Sequence, residues 1–420
     1  MDFGPDDVST GFKAMSTAAS RRAYAGPPLF SFGFRPFFLL ACAWPALIVP
    51  MWVLAYLGQP PFAGALTRDW HVHEMLFGYL AGVMAGFLLT AVPNWTGRLP
   101  VLGGPLALLV GLWLAGRITM LIAPQSLWAA LVDSAFLVTF AGVIWREVLA
   151  GRNWKNLPVC ALVSLLALAN IGVHLRPFHP ELAAGAERLA LGVAAMMIAL
   201  IGGRVTPSFT RNWLVQRGAT HLPAQASRFD LAALVLTGVA LLAWVAVPAQ
   251  ALTGVALVAA GAANLARLAR WRGASTMAEP LVWILHKGFG WLGLALAIMG
   301  AAALWPTAVP TSAGIHALTV GAVGVMTLAM MTRAILGHTG RARHAGPGTL
   351  AIYVLANLAA WLRLAAAFLP VHQAVWLGLS AAAWSLAFGG FVVLYAPMLI
   401  GPRVDRPSSK APVPPSPRPA

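Results

Sequence analysis

The sequence predicts an all-α protein: a polytopic membrane helix bundle of about twelve transmembrane helices, with a possible threefold four-helix repeat. Three observations lead there. The 420 residues are 59% hydrophobic and only 10% charged, whereas a soluble chain carries roughly a quarter charged residues. Apolar runs of about twenty residues recur along the chain, each long enough to cross about 30 Å of hydrocarbon. Arg and Lys concentrate in alternate connections between those runs. Helices are required because an open sheet edge leaves backbone groups unsatisfied in lipid.

Taken in order, the spans fall at about 35–57, 70–92, 104–123, 126–149, 157–175, 183–203, 228–248, 250–268, 279–304, 311–336, 348–369 and 371–399. Residues 1–30 read as an N-terminal tail and 31–400 as the membrane domain. Residues 401–420, ending in PVPPSPRPA, read as a disordered Pro-rich tail.

The formal charge of +16 is topological. Of 28 Lys and Arg, 22 lie in the N-terminal segment, at Arg98, and in five later groups: around Arg152, Arg211, Arg270, Arg341 and Arg403. The opposite connections hold only Arg68 and Arg176. The positive-inside rule then predicts a multi-pass membrane protein with both termini cytoplasmic, and no nucleic-acid partner. The segment SRRAY at 20–24 faintly resembles a twin-arginine export signal, but no cleavable apolar core with a small-residue cut site follows, so it reads as anchoring. Cys42 and Cys160 lie singly inside spans, which argues against disulfides, thiolate metal sites and covalent haem attachment.

With that orientation, polar residues gather at one depth near the outer face. They are His71, His73 and Glu74 in span 2, Arg117 in span 3, Asp133 in span 4, His174 in span 5, Glu187 and Arg188 in span 6, His316 in span 10 and Arg363 in span 11. A charge at the bilayer centre costs at least about 2.5 kcal/mol on insertion scales, so such residues mark function or snorkel to the rim. Singly, each histidine suits a hydrogen-bonded structural role. Four at one depth favour metal ligation, with His71, His73, His174 and His316 as the candidates.

At about 100° per residue, His71, Glu74, Gly78 and Gly82 share a helix face, and His73 lies about 160° from His71. Two histidines so placed address two neighbouring centres rather than one metal. Gly78, Gly82 and Gly86 form a small-xxx-small ladder, which means close helix packing or room for a flat macrocycle. A second, deeper site is possible at His286, with Lys287, His338 and His344 nearby in depth.

The inner ends of spans 2, 6 and 10 read AVPNWTGR, RVTPSFTR and ILGHTGR, and align on Thr96, Thr210 and Thr339. Arg117 stands seven residues before Pro124, and Arg363 seven before Pro370. These short matches at every fourth span suggest three four-helix units.

The segment WHVHEMLFGYLAGVMAGFLLTAVPNWTGR, with GFRPFFLLA, LWLAGR, IGGRVTPSFTRNWL and MMTRAILGHTGR, resembles the NnrS family of bacterial membrane proteins. The resemblance implies the bacterial inner membrane, non-covalent b-type haem, copper, and a role in nitric oxide stress or denitrification. Imidazole serves both metals. Arg117 and Arg363 are suited to hold haem propionates, with snorkelling as the alternative. Glu74 would orient an imidazole or donate a proton to bound nitric oxide. The expected partners are nitric oxide or a related small molecule, the lipid bilayer and a possible respiratory electron donor. Two other readings stay open: a secondary transporter with this layer as its substrate or proton site, and a partner for assembly or metal supply of respiratory enzymes.

Overall fold

The structure, a computed structural model, describes residues 24–404. Most of the expected N-terminal tail and nearly all of the Pro-rich tail lie outside the described residues. Twelve helices are long and apolar enough to cross a membrane, and the chain is a multi-pass membrane protein. Spans 1 to 12 are Phe34–Tyr56, Arg68–Thr96, Gly104–Ile122, Leu127–Ala150, Trp154–His174, Pro180–Val215, Arg228–Ala246, Ala251–Ala269, Pro280–Leu304, Thr311–His338, Pro347–Phe368 and Gln373–Ile400. No strand occurs among the described residues.

Local chemistry sets the boundaries. The Thr67 side chain accepts from the Trp70 amide and opens span 2, and Ser126 caps span 4 in the same way. Ser227 and Asp230 form a reciprocal capping box at span 7. Pro stands in the first turn of spans 3, 6, 9 and 11, where its missing N–H would have no intrahelical partner. Gly97, at φ 71°, takes the left-handed turn that ends span 2.

Twelve crossings return the chain to its starting side. Arg35, near the start of span 1, donates to the carbonyls of Leu399 and Gly401 at the end of span 12. We call this the terminal face and the other the distal face. Consecutive spans pack on one another around the bundle, and span 12 closes on span 1. Spans 2, 6 and 10 run inside this ring. Span 2 touches span 6, span 6 touches span 10, and Tyr79 of span 2 hydrogen-bonds Thr327 of span 10. Burial follows, at 83% along span 2 against 28% along peripheral span 7.

Lipid tails are as apolar as leucine, so helix association needs close packing. Spans 8 and 9 supply it through glycine. A Cβ at Gly261 would stand 2.7 Å from the Gly293 carbonyl, and one at Gly300 would stand 2.5 Å from that of Gly254.

Two features depart from the sequence expectation. Span 6 does not stop near residue 203 but continues to Val215 as an amphipathic extension. Spans 2, 6 and 10 each contain a π-helical stretch, at Glu74–Leu80, Ile198–Gly202 and Ala317–Gly324. Such i→i+5 turns are rare and concentrate at functional sites.

Candidate functional site

The polar layer lies towards the distal face, but it is divided in two. One part forms a closed cluster among spans 2, 3, 4 and 5. The other lines an open cavity bounded by spans 1, 2, 6, 7, 10, 11 and 12. Span 2 serves both, with His73 on one side and His71 on the other.

The closed cluster is built around Asp133. Its Oδ2 meets His73 Nε2 at 3.0 Å and His174 Nε2 at 3.1 Å, and accepts from Asn170 Nδ2 at 2.7 Å. Its Oδ1 accepts from Arg117 Nη2. The other nitrogen of His73, Nδ1, lies 3.0 Å from Glu74 Oε1. Arg117 Nη1 donates to both Glu74 oxygens at 2.9 Å, and Trp44 Nε1 donates to Oε2 at 2.7 Å. Glu74 is fully buried, and Arg117 and Asp133 are each 2% exposed.

Both ring nitrogens of His73 face carboxylates, an arrangement that a doubly protonated ring satisfies. With Arg117 that gives two positive and two negative groups, so the buried cluster is charge-balanced. Gly78 makes it possible. A Cβ there would stand 2.5 Å from Arg117 Nη1, so a side chain would deny Arg117 its path across span 2 to Glu74. His73, Asp133 and His174 offer ligand atoms within 4.8 Å of one another, and they are the one group of three or more such residues among the described residues. This triad could hold a metal ion. Two imidazoles and a carboxylate are a recurrent transition-metal donor set.

The open cavity encloses about 840 Å³. The His71 ring stacks on Trp52 at 5.1 Å between centroids and 11° between planes, and its Nδ1 is buried without a hydrogen-bond partner. His316 Nδ1 donates to the Ser312 carbonyl at 2.7 Å, which leaves Nε2 with its lone pair. His71 and Arg363 lie close enough to His316 to interact with it electrostatically. Arg363 lines the cavity, and no carboxylate pairs with it among the described residues. At the mouth, Arg68 makes a two-pronged contact to Glu187 at 3.0 and 2.8 Å. Arg176 bonds the same carboxylate and lies 3.3 Å from Asp69. The two arginines that break the positive-inside pattern are thus the two that hold Glu187.

The two centres are related along the chain. His73 stands 23 residues before Thr96, and His316 stands 23 before Thr339. A π-helical stretch begins at the next residue in each case, Glu74 and Ala317. Arg117 and Arg363 occupy the same place before Pro124 and Pro370. The carboxylates differ: Ala317 stands where Glu74 does, and Leu379, nine residues after Pro370, stands where Asp133 does after Pro124. The arginine of the first unit is locked to a carboxylate, and its counterpart is left unpaired beside a cavity. Span 6 carries Glu187 in the histidine position, and its π-helical stretch is out of this register.

Several expectations need correction. The four outer-level histidines fall into two pairs, His174 beside His73 and His316 with His71 on the cavity. Glu74 bonds His73 and Arg117 rather than His71: both residues face span 1, His71 on Trp52 and Glu74 on Trp44, but the Glu74 carboxylate reaches back to the His73 ring. Arg117 and Arg363 are not a matched pair of anion anchors, because the terminal nitrogens of Arg117 are committed to Glu74 and Asp133. The glycine ladder leaves no slot for a macrocycle: Arg117, Trp113 and Phe38 fill the space over Gly78, Gly82 and Gly86. His286 is remote from both centres. Its Nε2 meets Thr210 Oγ1 at 2.8 Å, while its Nδ1 is buried without a hydrogen-bond partner. His338 packs on Phe32 and Phe34, and His344 is exposed, so no second histidine site forms there.

Asp133 was visible in the sequence as an intramembrane acid, but its place at the hub was not. Asn170 lies four residues before His174 on the same helical face, a spacing that flags it. Trp44 carries no such signal.

A polytopic helical membrane protein with a buried His/Asp/Glu/Arg cluster beside a histidine-lined cavity is the class that fold and site define. A model of one family, described as NnrS protein, matches residues 28–403, and the chain belongs to that family. Membership fits a nitric-oxide-related membrane protein, and the family is known in general terms for metal or haem binding. No curated protein matches the chain.

Proposed function

We propose that this protein binds a b-type haem in the distal cavity and a metal ion, copper in the first instance, at the His73–Asp133–His174 cluster, and that it uses them to bind or remove nitric oxide. The observation that carries the reading is the open centre: two histidines and an unpaired arginine around one cavity of about 840 Å³. That volume lies within the range of cofactor sites. The residues suit the group. His316 has its Nδ1 fixed by Ser312, the second hydrogen bond that metal-ligating histidines almost always make. The orphaned Nδ1 of His71 is a buried polar atom in want of a partner. Arg363 matches a propionate carboxylate. A bound haem supplies an iron with affinity for diatomic gases and with one-electron redox chemistry.

The chain's own part is to hold and seal. Trp52 fixes the plane of His71, and the Arg68–Glu187–Arg176 bridge crosses the mouth. Glu74 serves as a positioning residue: fully buried, it sets His73 against Asp133 and neutralises Arg117. At the closed cluster, two imidazoles suit copper, which would take the place of protons now shared around Asp133 Oδ2. Following the positive-inside rule, both chain ends lie in the cytoplasm and the two centres face the outer side.

Visible spectra and metal analysis of the purified protein test the reading. Wild type should carry haem and copper. His316→Ala should lose haem and keep copper, whereas His73→Ala should lose copper and keep haem. A colourless wild-type protein without metal would end the proposal and favour a transporter.

A further inference from the structure

A second cavity, on the terminal face, contains about 650 Å³ and lies where spans 6, 9 and 10 end. Arg211, Arg217, Arg333 and Arg343 line it, against a single acid, Glu279. The Glu279 carboxylate is occupied in capping span 9, where it accepts from the Leu281 amide at 3.2 Å. Among the described residues, none of the four guanidinium groups has a hydrogen-bond acceptor or an ion-pair partner. Two are held by aromatic rings instead: Arg333 lies 4.0 Å from the Phe209 ring centroid and Arg217 lies 4.0 Å from that of Trp213. Stacking fixes a guanidinium while leaving its N–H edge free for an anion. The indole Nε1 of Trp213, which also lines the cavity, is buried without an acceptor. Solvated arginines that merely fix topology would not need to converge on one concave site with a buried orphan donor.

We propose that this cavity binds a phosphate group. Four planar forks exceed what one carboxylate can satisfy, and they suit the oxygens of a phosphate, which accept bidentate contacts from several arginines. The lining also includes Phe209 and Val215, so one wall is apolar. An anionic phospholipid would find both its phosphate and the start of its acyl chains accommodated, as basic pockets between membrane helices accommodate such lipids. Free phosphate offers the same oxygens without the apolar part.

Thermal unfolding of the purified full-length protein tests this in two arms. One compares sodium phosphate with sodium chloride at matched ionic strength. The other compares reconstitution in phosphatidylglycerol with phosphatidylcholine. Stabilisation by phosphatidylglycerol alone identifies a lipid site, and stabilisation by phosphate as well identifies a site for the free anion. Arg333→Gln with Arg343→Gln should raise the half-saturating concentration by about tenfold or more, the scale of one lost charge-assisted contact. Arg211→Gln with Arg217→Gln, at exposed positions with little bearing on folding, should act in the same direction. Arg228→Gln, exposed on the same face and outside the cavity, should leave binding unchanged. No stabilisation over chloride and phosphatidylcholine in wild type, or an equal response in Arg228→Gln and the cavity variants, would overturn the proposal.

Discussion

Arg117 and Arg363 occupy matching positions in spans 3 and 11, yet their removal should have unlike consequences. Arg117 is 2% exposed and is ion-paired to Glu74, fully buried, and Asp133, 2% exposed. Arg117→Ala leaves two carboxylates in the interior with only His73 between them. Breaking a buried pair by deleting one partner costs about 3–5 kcal/mol, because the remaining charge stays desolvated. That is a change of two to four decades in the folding equilibrium, at about 1.4 kcal/mol per decade. Arg363 has no carboxylate partner, and Arg363→Ala removes a charge that the protein does not compensate. Its cost in cofactor-free protein should stay below about 1 kcal/mol, the lost packing of its stem being offset by relief of desolvation.

The assay is unfolding in mixed micelles titrated with a denaturing detergent and followed by helicity, on protein prepared without haem or metal. Bound cofactor must be absent, since a ligand that binds only the folded state raises apparent stability by mass action. A second variant isolates the cause. Glu74→Gln on the Arg117→Ala background removes one of the stranded charges and should recover about 1–2 kcal/mol. Equal losses for the two arginine variants would refute the division into a closed and an open centre. So would a double variant that is worse than Arg117→Ala alone.

Other expectations follow from the same geometry. Ala317→Glu should give Arg363 the carboxylate that Arg117 already has, closing the second centre; haem content should fall several-fold while metal at His73 is retained, as measured by spectra and metal analysis. Gly261→Val places a branched side chain where a Cβ alone would stand 2.7 Å from the Gly293 carbonyl, and should destabilise by about 1–3 kcal/mol through overpacking, read by the same unfolding titration. A reporter fused after residue 400 should be active only in its cytoplasmic form, and periplasmic activity would reverse the orientation.

The spans were legible because hydrocarbon thickness imposes a length that a linear sequence displays directly. Their ends agree within a few residues wherever hydropathy stops abruptly, as at Tyr56 or Ile122. The end of span 6 was hidden because RVTPSFTRNW is too polar to register as a span, although its helix continues without a break. Side-chain partnership was harder. A regular 3.6-residue turn places Glu74 and His71 on one face, and both do face span 1, but the spacing cannot show that the Glu74 carboxylate turns to His73 and Arg117. The depth of Asp133 could be read, but its contacts to His73 and His174 span 60 and 41 residues of chain. No local rule reaches that far.

The short signatures around Thr96, Thr210 and Thr339 turn out to carry more than their own resemblance. They set a register in which histidine and arginine recur while the residue beside the histidine changes from Glu74 to Ala317. A buried arginine needs an anion from somewhere. In the first unit the chain provides it internally through Glu74 and Asp133, and the result is a sealed, charge-balanced cluster. In the third unit the chain withholds it, and the unpaired Arg363 faces a cavity with two histidines, one of them with an orphaned nitrogen. Span 6 completes the division, since Glu187 in the histidine position is turned to the arginines at the cavity mouth. A shared register with changed side chains thereby accompanies a closed polar cluster, an open histidine-lined cavity and the bridge at its mouth.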